Sequence, residues 1–129
     1  MKRNICIFFI VIFLFAICTL EQILVHNTLT KLKELSQSLY EIALSSEDVN
    51  TQAIFTQTNN LNDFWQKNEN YLCFFINHKD MQEMGNELIK MISYSKSNIK
   101  EEYLTSLELV RYYCNTFNHI MGLSLQNLI

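Results

Sequence analysis

The feature that most constrains this chain is an apolar run at its N-terminus. Residues 5–18 carry no charge, and Lys2 and Arg3 precede them with only Asn4 between. A run of this kind behind two basic residues predicts a segment that enters a membrane. Because cytoplasmic flanks carry the excess of Lys and Arg, we expect Lys2 and Arg3 to stay in the cytoplasm and everything after Glu21 to lie on the far side.

Two fates of this segment stay open, a retained anchor and a cleaved signal. The uncharged stretch 5–20 has 16 residues, about 24 Å as a helix, which is slightly short of a hydrocarbon core of about 30 Å. Ala16 and Cys18 are small enough for signal cleavage, with a mature chain beginning near Thr19; acylation of Cys18 is a further alternative. Apolar residues resume at 23–25, so we favour an uncleaved single-pass anchor over residues 1–25, with residues 5–25 contacting the membrane.

The composition indicates helices and argues against nucleic acid as a partner. The chain has no proline and two glycines, Gly85 and Gly122, whereas strand-rich folds draw on both residue types for their turns. Lys2 and Arg3 are the only charges before Glu21, which leaves eight basic and thirteen acidic residues from there onward. A domain this acidic is poorly suited to a polyanion.

Hydrophobic periodicity predicts four helices. The first continues from the membrane to about Leu44, and the last ends at Gly122 as its C-cap, followed by an apolar tail over 123–129. The predicted core positions are Val25, Thr28, Leu32, Leu35, Leu39 and Ile42 on the first helix, and Tyr103, Leu107, Val110, Cys114, Phe117 and Met121 on the last.

The two middle helices follow from capping residues and shorter stripes. Residues 45–48 predict a stop and a new N-cap, and the second helix then spans 49–77. Asp80 with Glu83 predicts the start of the third helix, over 81–94, and Asn98 predicts the start of the fourth. The predicted core positions are Ile54, Leu61, Trp65, Leu72 and Phe75 on the second helix, with Thr58 as a polar interruption, and Met84, Leu88, Met91 and Ile92 on the third.

These patterns predict an all-α fold. Amphipathic helices joined by short loops must bury their apolar stripes on one another. We therefore expect a transmembrane helix that continues into an antiparallel up-down four-helix bundle, with residues 26–129 forming an extracytoplasmic domain. Cys73 and Cys114 fall on the predicted apolar faces of two helices; two buried free thiols are favoured over a disulfide.

The candidate site residues for chemistry are few. His78 precedes Asp80 and Glu83 in a predicted loop, and a loop histidine beside carboxylates can bind a metal or act as a base. A turn residue that caps a helix is the commoner role, so these three are weak metal candidates. No Glu-x-x-His pair, Gly-rich loop, Cys-x-x-Cys or nucleophile elbow is present. We therefore expect no enzymatic activity and no cofactor.

Two aromatic residues on the second helix fall off its core stripe. Tyr71 and Phe74 predict a second apolar face, which would suit a partner helix or self-association. They are the interaction candidates of this chain.

In four features the chain resembles a family of short helical proteins of unknown function from Gram-positive spore-forming anaerobes. The proteins of this family are anchored in the membrane by their N-terminus. The four features are the basic-apolar N-terminus, Trp65, the segment 75–78 (Phe-Ile-Asn-His) and the ending 125–129 (Leu-Gln-Asn-Leu-Ile). The resemblance implies an exported helical domain that works beside another membrane protein, and it brings no established activity. The family tends to carry acidic residues where this chain has Asn77 and Lys79, which weakens a metal site at His78.

The sequence therefore favours a non-enzymatic interaction module, tethered outside the membrane, that binds a membrane protein or itself. The alternative is a sensor-like bundle that binds a small ligand or metal at the His78 loop. A sensory bundle normally returns through the membrane to signal, and only one apolar span is evident.

Overall fold

The computed structural model describes residues 1–126, which form four helices and no strand. They are α1 (Lys2–Ser45), α2 (Gln52–Leu72), α3 (His78–Lys96) and α4 (Lys100–Gln126). The all-helical class expected from the sequence is confirmed. The last three residues of the expected apolar tail lie outside the described residues.

The first helix runs without interruption from the apolar segment into the folded domain. α1 has 44 residues, which corresponds to about 66 Å. Its large apolar side chains up to Leu20 are exposed, whereas Val25 is fully buried. One helix therefore serves both the N-terminal segment and the core, as the sequence predicted.

The face that α1 buries differs from the predicted one. Its buried positions are Val25, Leu29, Leu32, Ser36, Leu39 and Ala43, whereas Thr28, Leu35 and Ile42 are only half-buried. The predicted seam was wrong at every second position, where the next residue along the chain is the buried one: Leu29 instead of Thr28, Ser36 instead of Leu35 and Ala43 instead of Ile42. The small residues Ser36 and Ala43 instead lie against the other helices, and the Ser36 hydroxyl donates to the carbonyl of Lys33 at 2.9 Å.

Several predicted helix ends were also wrong. Thr51, not a residue of 45–48, caps α2 by accepting from the Ile54 N–H. α2 ends at Leu72, so the predicted extension to Asn77 is a turn. Asn77 caps α3 by accepting from the Lys79 N–H at 2.8 Å, which leaves Asp80 in the first turn instead of at the cap.

The two glycines lie inside helices. Gly122 is within α4 and is not its C-cap, since no glycine has a positive φ. Gly85 lies in the interior of α3, as the sequence predicted, and a Cβ at this position would stand 3.3 Å from Trp65 Nε1. The glycine therefore allows a close approach of α3 to the indole of α2.

Asn98 closes α3 instead of opening α4. It is the only non-glycine residue with positive φ in residues 1–126, at 55°. Its N–H donates to the carbonyl of Ser95, and the Ile99 N–H donates to the carbonyl of Tyr94. These two bonds are those of a Schellman motif, in which asparagine takes the position that glycine usually occupies.

The same asparagine joins the two loops at one end of the molecule. Its Oδ1 accepts from the Val49 N–H at 2.9 Å, and its Nδ2 donates to Asp48 at 2.8 Å. The Ser95 hydroxyl donates to the Val49 carbonyl at 2.7 Å, and the Lys100 ammonium donates to the carbonyl of Ser46. The positive charge of Lys100 also stabilises α1, because the C-terminal end of a helix carries a partial negative charge.

The core lies between all four helices. α1 contacts α2 and α4, and α3 contacts the same two helices. The predicted core positions of α4 are all buried, as are Met84, Leu88 and Met91 of α3. On α2 the predicted stripe is buried up to Leu72, while Phe75 is half-buried in the following turn. The largest buried side chains are Trp65, Tyr103 and Phe117.

Candidate interaction surface

The apolar N-terminal part of α1 makes no contribution to the core. Within residues 1–126, α1 is the one helix that is long and apolar enough to cross a membrane, judged by length and composition. The most apolar part of this helix is entirely unburied. Burial begins at Val25, and Ile23 and Leu24 just before it are still exposed. No linker therefore separates the apolar segment from the bundled helices.

His78 lies at the start of α3 and is exposed. Its Nδ1 is 3.9 Å from the sulfur of Cys73, which is the C-cap residue of α2. Among residues 1–126, no three His, Cys, Asp or Glu side chains are grouped so that they could hold a metal ion. His78 thus pairs with a cysteine that the sequence analysis had not associated with it.

Glu83 of α3 contacts a side chain of α4 and does not contribute to a site with His78. The Tyr113 hydroxyl of α4 donates to Glu83 Oε2 at 2.5 Å, and the Lys79 ammonium is 3.8 Å from Oε1. This hydrogen bond is the main cause that raises the pKa of Tyr113 to about 12, with desolvation second. Glu83 is therefore a tie between α3 and α4, whereas Asp80 is half-buried in the first turn.

The two cysteines that might have met across the bundle are both free. Cys114 is buried, and burial raises the pKa of its thiol to about 12, which keeps it protonated. Cys73 is exposed, because it follows the last residue of α2 instead of lying on a buried face. The expectation of a buried thiol was therefore correct for Cys114 and wrong for Cys73.

The two aromatic interaction candidates have different surroundings. Tyr71 is half-buried; its hydroxyl donates to the carbonyl of Glu21 on α1 at 3.1 Å, and its ring meets that of Phe75 edge-on at 5.5 Å. Phe74, in the turn after α2, is 85 % exposed. The exposed apolar surface predicted from these two residues is thus concentrated on Phe74.

A further apolar surface lies where α3 and α4 meet. Ile89 and Leu109 line an open groove of about 590 Å³ between these helices, with the Glu83–Tyr113 pair along it. Both residues are exposed, as is Tyr112, whose ring packs edge-on against Tyr113 at 5.6 Å. We call Ile89, Leu109 and Tyr112 the α3–α4 face. Sequence reasoning missed it, although Ile89 and Leu109 are large side chains next to core positions.

Comparisons with known proteins give a family but no activity. The family model described as a domain of unknown function (DUF4363) matches residues 22–128. Comparison with curated proteins and comparison with solved structures each find no match to this chain. The matched region begins directly after Glu21, so it covers the bundled part of α1 and all of α2, α3 and α4. The chain belongs to the DUF4363 family of domains of unknown function.

Proposed function

We propose that this protein is a non-enzymatic interaction module, anchored in a membrane by α1, that binds a membrane protein or a second copy of itself. The observation that carries the proposal is the continuity of α1. The same helix presents an unburied apolar segment up to Leu20 and contributes core residues from Val25 onward. A domain built on its own anchor has a fixed height above the membrane, which suits contact with a neighbour in the same bilayer.

In this proposal, the helices form an antiparallel up-down bundle. Three contacts between α1 and α4 support it: Thr30 with Asn118, Gln37 with Arg111, and Tyr40 with Glu108. The residue numbers rise along α1 as they fall along α4, as opposite chain directions require. Each helix also contacts the helices before and after it in sequence, and α4 returns to α1, which is the neighbour relation of an up-down bundle.

The proposed orientation places the N-terminus in the cytoplasm and the bundle outside. Lys2 and Arg3 are the flanking charges that support it. Retention of the anchor is supported by the helix itself, which has no break at Cys18, where a cleaved signal would end.

Fractionation of cells that express the full chain tests this arrangement. We expect full-length protein in the membrane fraction, and we expect protease added to spheroplasts to digest the bundle. A mature chain that begins near Thr19 and is free in the medium would establish the cleaved-signal alternative. Protection of the bundle until the spheroplasts are lysed would reverse the orientation.

The α3–α4 face supports the interaction part of the proposal. Two of its large apolar side chains, Ile89 and Leu109, line a groove outside the core, and clustered apolar side chains on a surface mark contacts with other proteins. The charged side chains that line the groove already have partners, since Tyr113 donates to Glu83 and Lys90 donates to Glu87. Apolar contact is therefore what this face offers to a neighbour.

Site-specific photo-crosslinking in membranes tests this face. A crosslinking residue at Leu109 should give one discrete adduct, and Ile89→Asp should remove that adduct without changing the amount of protein in the membrane. The same crosslinking residue at Lys67, exposed on α2, is the matched control and should give none. Two differently tagged copies identify a homodimer, and mass spectrometry identifies any other partner.

The metal-binding alternative makes the opposite prediction. If the crosslinked adduct forms by apolar contact, His78→Ala should leave it intact. If instead the purified chain gains several degrees of melting temperature with one divalent metal, and His78→Ala abolishes that gain, the interaction module is the wrong function. Equal adducts from Leu109 and Lys67 would also contradict the proposal.

A further inference from the structure

The turn between α2 and α3 lies beside Glu21, the residue of α1 at which the apolar segment ends. The Tyr71 hydroxyl, in the last turn of α2, donates to the carbonyl of Glu21 at 3.1 Å. Phe74 follows three residues later, and its N–H donates to the carbonyl of Tyr71. Since the chain from Tyr71 to Phe74 is a single tight turn, and Tyr71 reaches Glu21, Phe74 lies near the level of Glu21 along α1.

If α1 spans the membrane, Glu21 lies at the membrane surface. It is the first charged residue after Arg3, and the 17 residues between them extend about 26 Å as a helix. That length nearly fills a hydrocarbon core of about 30 Å, so Glu21 must lie at the adjoining headgroup level. The headgroup layers add only about 5–8 Å on each side. A group within one helical turn of Glu21 therefore stands in or against the lipid interface.

The side chains at this level are of the kind that interfaces favour. Tyr71 and Phe75 pack edge-on beside α1, and Phe74 extends away from the bundle with 85 % of its surface exposed. Ile23 and Leu24 of α1, two and three residues beyond Glu21, are exposed as well. Tyrosine is enriched at the boundary between lipid and water, because one end of its ring is apolar and the other wet. The wholly apolar ring of Phe74 suits the acyl side of the same boundary.

We propose that Phe74 inserts into the lipid interface of the membrane that α1 crosses, giving the bundle a second contact with the bilayer. The inference rests on the proposed function, because it requires α1 to span. Apolar burial drives this contact, since the charged groups near the turn include both Lys79 and the carboxylates of Glu69 and Asp80 and form no basic cluster. The contact holds the bundle at two points, and this limits its rotation about α1.

Fluorescence quenching by brominated lipid tests the insertion. The full chain is reconstituted in phosphatidylcholine nanodiscs with or without bromine on the acyl chains, as wild type, F74W or L44W. Leu44 is an exposed residue of the same molecule, about 35 Å along α1 from Glu21. The wild-type signal gives the background of buried Trp65. We expect brominated lipid to quench the fluorescence that F74W adds and to leave the fluorescence that L44W adds unchanged.

The outcomes separate this inference from the proposed function. If membrane fractions hold the full-length chain but F74W is no more quenched than L44W, the insertion is overturned while the anchor stands. A protein adduct from a crosslinking residue at Phe74, without quenching of F74W, assigns this side chain to a protein partner instead. A chain absent from the membrane fraction overturns both. Because Phe74 is so exposed, F74W should keep the wild-type circular dichroism spectrum.

Discussion

The hydroxyl of Tyr103 on α4 lies 2.7 Å from Thr58 Oγ1 on α2, and both residues are fully buried. The Thr58 hydroxyl also lies 2.7 Å from the carbonyl of Ile54, to which it donates. Its only hydrogen is thereby used, so Tyr103 must be the donor in the pair. Burial raises the pKa of Tyr103 to about 12.

Thr58→Val should destabilise the fold more than Tyr103→Phe. Valine keeps the shape of threonine but leaves a buried phenol without an acceptor, which costs about 1–3 kcal/mol. Phenylalanine removes that donor, and Thr58 keeps its bond to Ile54, so the loss should be about 0.5–1.5 kcal/mol. Urea denaturation of the full chain in detergent measures both. The double variant should be no less stable than Thr58→Val alone; additive losses would show that the pair is uncoupled.

Asn98→Gly should destabilise the junction of the two loops by about 1–2 kcal/mol. Glycine accepts the positive φ but loses the side-chain bonds to Val49 and Asp48. Asn98→Ala should cost about 1 kcal/mol more, because alanine also disfavours the left-handed conformation. Thermal melts of the two variants give the comparison. Equal melting temperatures for Asn98→Ala and Asn98→Gly would mean that the backbone at this position is not strained.

The two glycines should respond differently to alanine. Gly122→Ala should stabilise the full chain by up to about 1 kcal/mol, because nothing lies within 4 Å of the added Cβ and alanine favours a helix. Gly85→Ala gains the same propensity but places its Cβ 3.3 Å from the indole nitrogen of buried Trp65. We expect Gly85→Ala to be less stable than Gly122→Ala in chemical denaturation. A larger gain at Gly85 would contradict the close approach of α3 to Trp65.

Stability should fall steeply in alkaline solution, and Tyr113 should contribute to that fall. The hydrogen bond to Glu83 raises the pKa of Tyr113 from 10 to about 12, so the folded state favours the protonated phenol. Its contribution is complete below pH 10 and is lost as the pH rises from about 10 to about 12. Tyr113→Phe should lower stability at pH 7 by about 1 kcal/mol, since the bond is partly exposed.

The neighbouring tyrosine supplies the control for the stability at neutral pH. Tyr112 is 62 % exposed, so Tyr112→Phe should leave that stability nearly unchanged. Melting temperatures between pH 7 and 11.5 should decline less for Tyr113→Phe than for wild type. Parallel curves for these two proteins would exclude the Glu83 bond as the source of the dependence.

The sequence predicted only some of the residues that form the candidate surfaces. Phe74 could be recognised because a large aromatic fell off the core stripe of α2. The α3–α4 face could not, because Ile89 and Leu109 stand beside core positions in sequence and periodicity does not say which of two adjacent apolar residues a neighbouring helix covers. The Cys73–His78 proximity was also missed, since it follows from the exact residue at which α2 stops.

What the sequence by itself determined is the helical class, the unbroken first helix and the buried face of α4. These follow from local rules: the absence of proline, the length of the apolar run, and a spacing of three and four in which every predicted core residue of α4 is large or apolar. Only the tertiary structure decided that Ser36 and Ala43 lie inside, that Asn98 joins two loops, and that Tyr71 binds α1 beside Glu21. Each of these depends on how closely another helix approaches, and the distance between two helices cannot be read from the sequence of either one.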